Sequence, residues 1–397
     1  MHSSAPAKGE RPLRLWQVES VTDRVWEDWA AARPESPLLH LDSAAVGRSS
    51  RSTLEAVSAH ARFEAELGGY VAQEQARGRL DAARADVAGL LGSDADGVAF
   101  VESASAAFDA LLDAWPLSPG DRVGVAASEW GPNLETFAHR GLVPVPLPVD
   151  AAGVLDLEAL EKELASDPPA LVHVDLVAAQ RGLVQPGAEV VSLARTHGVP
   201  VWLDAAQAVG HVAVPRGAAA VYATSRKWLT GPRGVGMLAV APEHRGTLRL
   251  RRLAKHPDLP DVQHLESDEA HVAGRIGLGV AVREHLALAP ERVHARLRDV
   301  GRLVRDGVDR LAGWEVVLAE APAGSTTALV PTSGQDVGAV RERLLAEHRV
   351  LTSVCLPWRA PLEMGVHGPA RAFLRLSPHV DLTEESVERV CRALTSV

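Results

Sequence analysis

Only two of the 397 residues are cysteine, Cys355 and Cys391, which rules out a disulfide framework or a cysteine-built zinc site, and no metal is expected. Long apolar runs are also missing. No stretch approaches the ~18 consecutive apolar residues of a membrane span, so no membrane partner is expected. The opening MHSSAPAKGERPLRLW has no apolar core of a secretory signal, which points to a reduced, cytoplasmic protein. Positive charge is in deficit: the formal net charge is −10, an argument against a nucleic-acid surface. Lysine is scarcest of the charged residues. Four of the 41 basic residues are lysine (Lys8, Lys162, Lys227, Lys255). Genomic base composition accounts for the arginine bias, but any chemistry that needs a primary amine has four candidates.

The remaining composition is ordinary, 46% hydrophobic and 23% charged, in a chain long enough for two or three domains' worth of core. Residues 1–35 read as a polar N-terminal arm docked through Trp16, Trp26 and Trp29. Residues 52–67 and 71–91 read as helices. Then continuous apolar runs alternate with amphipathic stretches: VAFV (98–101), RVGVAA (122–127), LVHVDLV (171–177), VPVWLDA (199–205), AVYATS (220–225) and GMLAV (236–240). Such runs suit strands covered on both faces, and hence a mostly parallel α/β sheet. Between them AAFDALLDAW places Phe108, Leu111, Leu112 and Trp115 on one helical face. A large α/β domain over 36–270 and a smaller α+β domain over 271–397 are expected, the N-terminal segment packing with the latter.

Lys227, in YATSRKWLTGPRGVG, follows a strand and precedes a Gly/Pro turn. A lysine there reads either as a solvated loop residue or as a desolvated Schiff-base amine. Asp204 ends VPVWLDAAQAVGH at the strand end where α/β sheets bind ligands, with Gln207 three residues on. It reads as a helix N-cap or as the partner of a protonated ring nitrogen. In FVESASAAFDALL, Ser103, Ala104 and Ser105 open a helix, where serine caps the end or free amides take a phosphate. Trp130 follows another strand and could stack on a flat ring. Arg375, on the strand AFLRLS, is either an exposed alternation residue or a carboxylate fork.

Together these segments resemble the fold-type I pyridoxal-phosphate enzymes of the class V aminotransferase and cysteine desulfurase group. LDSAAVG (41–47), ESASAA, SEW, LDAAQAVGH, TSRKWLTGPRGVG and LRLSPHVDLTEE are similar to that group's motifs and occur in the same order. The resemblance implies pyridoxal phosphate as cofactor, with Lys227 as catalytic Schiff-base lysine, Asp204 on the pyridine nitrogen and Gln207 on the phenolic oxygen. It implies Trp130 as the stacking ring and Ala104, Ser105, Thr224 and Arg226 on the phosphate. Arg275, in VAGRIG, matches a position that reaches the phosphate from a partner subunit, implying a homodimer with shared sites. Arg375, with Ala44 and Gln180, would contact an amino-acid substrate.

Some positions depart from the group's pattern. Trp130 replaces a common histidine, Arg226 the histidine before the lysine, and Arg275 a threonine. Leu176 stands where a polar residue is usual, which leaves Gln180 as a substitute near the ring. Within the group, LDSAAVGRSS, LVAAQRGLVQP and TSRKWLTGPRGVG are most similar to the carbon–sulfur lyases of ergothioneine biosynthesis. That implies β-elimination of hercynylcysteine sulfoxide towards ergothioneine, pyruvate and ammonia. The rival activities are cysteine desulfurase or selenocysteine lyase, either using the Cys355 thiol, and kynureninase-like hydrolysis. A catalytically silent binding protein of the same fold is the rival from another class. Cys355 also reads as a buried structural residue.

Overall fold

The computed structural model describes residues 21–250, 258–317, 324–365 and 371–397; Trp16, Lys8 and Lys255 lie outside them. The strands in chain order are β1 (Leu39–His40), β2 (Val98–Val101), β3 (Arg122–Val125), β4 (Val143–Pro146), β5 (Leu171–Asp175), β6 (Val201–Asp204), β7 (Ala220–Thr224) and β8 (Gly236–Val240). Beyond these come β9 (Trp314–Val317), β10 (Thr327–Pro331), β11 (Val350–Leu351), β12 (Ser353–Cys355) and β13 (Phe373–Leu376).

Seven strands form the central sheet in the order β2-β8-β7-β6-β5-β3-β4. The pairs β4–β3, β3–β5, β5–β6 and β6–β7 are parallel, while β8 runs antiparallel to both its neighbours. The apolar runs have a direct structural cause. Val98 and Phe100 join one buried cluster and Ala99 and Val101 another, so the two faces of a single strand both enter core. The helix Ala104–Ala114 lays Phe108, Leu111 and Leu112 on the second face, beside Trp115 at its end. Sequence reasoning missed β4. Its VPVP repeat lies half-exposed at the sheet edge, the one place a strand tolerates proline.

A second sheet, ordered β12-β13-β10-β9 and antiparallel throughout, carries the C-terminal helix Glu384–Ser396, capped by Thr383. The run VLTSVC is two strands, not one: β11 pairs with β1, and β12 with β13. Leu39 and His40 are thereby tied to Val350 and Leu351. The helix Val272–Ala287 lies against Arg51–Leu67 and Arg77–Leu91, with Gly277 facing Val57 and Gly279 facing Ala83. Its Leu278 and Val282 enter the core of the central sheet. Trp26 and Trp29 are buried with Trp228, Leu297 and Val380, and Trp29 stacks on His379 at 4.4 Å. Among the described residues no helix is long and apolar enough to cross a membrane.

Candidate active site

A cavity of about 350 Å³ opens at the C-terminal ends of β5, β6 and β7, where an open α/β sheet binds its ligands. Ala44, Ala104, Ser105, Trp130, Asp204, Gln207, Thr224, Arg226, Lys227 and Arg375 all line it. Residues scattered over more than 300 positions therefore meet in one place. Arg275 and Gln180 are not among the lining residues.

Lys227 sits just beyond β7 on a turn closed by Thr230 N–H to Lys227 O and Gly231 N–H to Ser225 O. The segment around Gly47 packs directly on this turn: Gly47 N–H donates to Arg226 O at 2.7 Å, and a Cβ on Gly47 would stand 2.3 Å from Lys227 O. Only glycine permits that approach. Burial pulls the Lys227 ammonium down to about 7. Asp204 opposes the shift, and the guanidinium groups of Arg226, Arg375 and Arg359 reinforce it. Lys162, by contrast, is exposed and paired with Glu158 at 2.7 Å.

Asp204 ends β6 with Oδ1 accepting from Ala206 N–H at 2.8 Å, and burial raises its carboxyl above the ordinary range. The amide of Gln207 has a fixed orientation. Trp228 Nε1 can only donate and Ala44 O can only accept, so Oε1 takes the first at 2.9 Å and Nε2 serves the second at 2.9 Å. One N–H of Nε2 remains for a ligand.

At the other end of the cavity, Ser103 Oγ caps Ala106 N–H at 3.0 Å, and helix geometry leaves the amides of Ala104 and Ser105 unpaired within the helix. The serine cap is present, and Ala104 and Ser105 line the cavity beside it. The chain passes close here too, since a Cβ on Gly236 would lie 2.4 Å from the Ser103 carbonyl carbon. Thr224 and Arg226 face the same space, Arg226 meanwhile donating to Ala45 O. Arg375 is buried on β13. It donates to Ala179 O at 2.6 Å and Ser353 Oγ at 3.2 Å, and lies 3.5 Å from Asp42.

Two expected residues lie elsewhere. Arg275, expected at the phosphate of a partner subunit, is buried and bonded in its own chain to Glu266 at 2.7 Å and Phe100 O at 2.9 Å. Gln180 is buried with both amide atoms unpartnered; it is its neighbour Ala179 that reaches the cavity. Leu176 belongs to the core, and the polar strand-end residue is Asp175 instead. Asp175 Oδ1 accepts from Ser128 Oγ at 2.9 Å, while Oδ2 is buried without a partner. Asn133, Tyr222, Trp358 and Arg359 complete the wall. The Trp130 and Trp358 rings lie 5.9 Å apart, with the Arg359 guanidinium 5.6 Å from each. Cys355 is fully buried on β12, its Sγ 4.0 Å from Ala179 O, and does not line the cavity.

The family model for aminotransferase class-V matches residues 39–390. The chain belongs to the aminotransferase class-V family. It is 43% identical over 380 residues, 95% of this chain and 94% of the relative, to the probable hercynylcysteine sulfoxide lyase of Mycobacterium tuberculosis. A cysteine desulfurase of Dickeya dadantii is 28% identical, with 73% of this chain and 76% of that one covered. Among solved structures, the apo cysteine desulfurase of Thermococcus onnurineus superposes with a TM-score of 0.81 at 20% identity, covering 93% and 97% of the two chains. A cystine C–S lyase in complex with cysteine persulfide gives a TM-score of 0.79 at 18% identity, covering 91% and 98%. Class-V membership and a fold-type I architecture were both expected from the ordered motifs.

Proposed function

We propose that the chain is a pyridoxal-phosphate-dependent carbon–sulfur lyase that cleaves hercynylcysteine sulfoxide by β-elimination. The observation that carries this reading is one cavity holding a lysine amine lowered to about 7, a half-buried carboxylate and a carboxylate-binding fork: Lys227, Asp204 and Arg375. The lining fits the cofactor. Amides of Ala104 and Ser105 with Thr224 and Arg226 suit a phosphate, Asp204 a protonated ring nitrogen, Gln207 Nε2 a phenolic oxygen, and Trp130 a flat ring. The 43% identity to a probable hercynylcysteine sulfoxide lyase supports the substrate.

Pyridoxal phosphate supplies, when bound, a sink for the electrons left at Cα after proton removal. The chain supplies position. Arg375 grips the substrate carboxylate and fixes which Cα bond faces Lys227 Nζ, which removes the Cα proton. Trp130 provides stacking without acid–base chemistry, so Lys227 is the proton carrier within reach. The Cβ–S bond then breaks with its electron pair leaving on sulfur as a sulfenic acid. The remaining three-carbon fragment hydrolyses to pyruvate and ammonia. A thiol reductant is needed to take the sulfenic acid to the thione of ergothioneine. The sulfoxide oxygen makes sulfur a competent leaving group, so no enzyme thiol is called for. Buried Cys355 speaks against the desulfurase and selenocysteine lyase routes.

A homodimer with shared sites in the cytoplasm remains part of the proposal, supported by two unpaired cysteines and by the exposed apolar Leu54, Leu67, Tyr70 and Val71. Sedimentation of the purified protein tests the dimer. The activity test is incubation with pyridoxal phosphate, dithiothreitol and a panel of cysteine conjugates and their sulfoxides. Equal release of pyruvate and ergothioneine from hercynylcysteine sulfoxide is expected. Preferential release of alanine from free cysteine would transfer the assignment to a desulfurase, and the lack of any visible cofactor band would favour a silent binding protein.

A further inference from the structure

Beneath the cavity floor a hydrogen-bonded set of polar side chains runs through a buried, ring-lined part of the sheet. We propose that Glu129, His173 and Tyr222 form a positioning relay that aims the Tyr222 hydroxyl hydrogen at Asp204 and so holds that carboxylate as the anionic partner of a protonated ring nitrogen. The proposal rests on the reading of Asp204 given above.

Glu129 and His173 are 0% exposed and Tyr222 is 1% exposed. Glu129 Oε2 stands 2.6 Å from His173 Nδ1, and His173 Nε2 stands 2.8 Å from the Tyr222 hydroxyl. Glu129 Oε1 is occupied by Trp130 N–H at 3.0 Å and Asn133 Nδ2 at 2.9 Å, and Asn133 Nδ2 also lies 3.4 Å from the Tyr222 hydroxyl. Strand pairing sets the geometry. His173 and Asp175 point to one face of β5, Trp202 and Asp204 to the same face of β6, and Tyr222 is the register partner of Asp204 on β7. Tyr222 and Asp204 line the cavity side by side on that pair of strands, and burial together with the Asp204 charge raises the Tyr222 hydroxyl well above its ordinary range. Phe108, Phe137 and Trp202 surround the imidazole with ring centroids at 5.5, 5.5 and 6.5 Å. A carboxylate and an imidazole in such a place are costly unless fully hydrogen-bonded.

The donors and acceptors leave one productive arrangement. Glu129 accepts from its three neighbours, which requires the proton on His173 Nδ1. A neutral imidazole then accepts at Nε2 from the Tyr222 hydroxyl and leaves Asp204 without that donor. An imidazolium instead donates from Nε2 to the Tyr222 oxygen and frees the hydroxyl hydrogen for Asp204. Burial works against charge on His173, but Glu129 and Asp204 overcome it and raise the imidazole above its usual range. The other charges facing the relay are Asp175, which bears on Glu129 and Asp204, and Lys227, which stabilises the Asp204 anion. Burial pushes the Asp204 carboxyl up; the Ala206 amide and the charges of His173 and Lys227 oppose that.

The experiment loads wild-type protein, Tyr222→Phe and Glu129→Gln with ring-15N pyridoxal phosphate. The nitrogen chemical shift is then followed against pH alongside the visible cofactor band. The wild-type ring nitrogen stays protonated to a pH at least one unit above the midpoint seen in each variant, a tenfold loss of proton affinity in each. Unchanged midpoints overturn the relay. A shift in Tyr222→Phe alone also overturns it, because the hydroxyl would then act without Glu129 and His173. Tyr222→Phe removes one oxygen and keeps the ring, so the test survives a folding defect in Glu129→Gln. A wild-type protein that binds no cofactor refutes the cofactor reading itself, an outcome distinct from unchanged midpoints.

Discussion

Asp175 and Asp204 are register partners at the ends of β5 and β6, a buried and a half-buried carboxylate side by side on the cavity floor. Like charges at that spacing cannot both ionise cheaply. Burial, then Glu129 and Asp204, push Asp175 well above its ordinary value of 3.8, while its Oδ2 lacks a partner. A carboxyl whose folded pKa is raised binds its proton more tightly in the folded state. It therefore costs stability progressively as pH rises above its unfolded pKa of ~3.9. Asp175→Asn removes that cost. The cofactor-free variant should melt about 1 °C higher than wild type at pH 7 and level with it near pH 4, a difference of ~1 kcal/mol for a chain of this size. Thermal melts across that range decide it; a variant less stable at pH 7 would mean that Asp175 is ionised and needed as an acceptor for Ser128.

The lysine amine should behave as a base of about 7. Only the neutral amine attacks an aldehyde, so capture of pyridoxal phosphate by the cofactor-free protein should rise with pH. Its rate should be half-maximal near 7 and about tenfold faster at pH 8 than at pH 6. Borohydride trapping followed by mass spectrometry locates the adduct. Lys227→Ala should abolish trapping and lower turnover by at least ~10³-fold, while non-covalent cofactor is retained through the phosphate and ring contacts.

Cys355→Ala separates the lyase from a desulfurase. The thiol is buried against Ala179 O rather than presented to the cavity, so pyruvate release should stay within about twofold of wild type. The price is packing: loss of one buried sulfur should cost on the order of 1 kcal/mol in denaturant melts. Loss of cleavage in a folded variant would restore the thiol mechanism.

The parts legible in the sequence were those with a simple local signal. Lys227 stood out by scarcity and Asp204 by closing an apolar strand, and both line the cavity. Asp175 carried the same strand-end signal but was overlooked, because the polar position was sought one residue on, at Leu176. A one-residue step on a strand reverses the face, and Leu176 points into core. His173 inside an apolar run read as core, and it is core; its bonds to Glu129 and Tyr222 join segments 44 and 49 residues away, which no local pattern reports. Trp358 and Arg359 lie on the single 3₁₀ turn Pro357–Arg359, too short for periodicity to report. The pairing of Arg275 with Glu266, on a neighbouring loop, was equally illegible, since spacing does not report a partner that the fold brings in.

Arg375 provides the sharpest test of substrate orientation. Its Nε and Nη1 are anchored on Ser353 and Ala179, which fixes the plane of the guanidinium, and Nη2 is left with the longer 3.5 Å contact to Asp42. A substrate carboxylate arriving there exchanges that weak contact for paired, charge-assisted hydrogen bonds. Arg375→Ala should therefore lower kcat/KM about 10- to 150-fold, the equivalent of ~1.5–3 kcal/mol for hydrogen bonds to a charged group. Arg375→Lys should recover little of it, since an ammonium keeps the charge but loses both the fork and the anchoring bonds. Cofactor absorbance should be unchanged in both variants, because the ring and phosphate contacts lie elsewhere in the cavity. Full rescue by lysine would show that only charge is read at this position, and the orienting role would pass to Arg226 or Arg359.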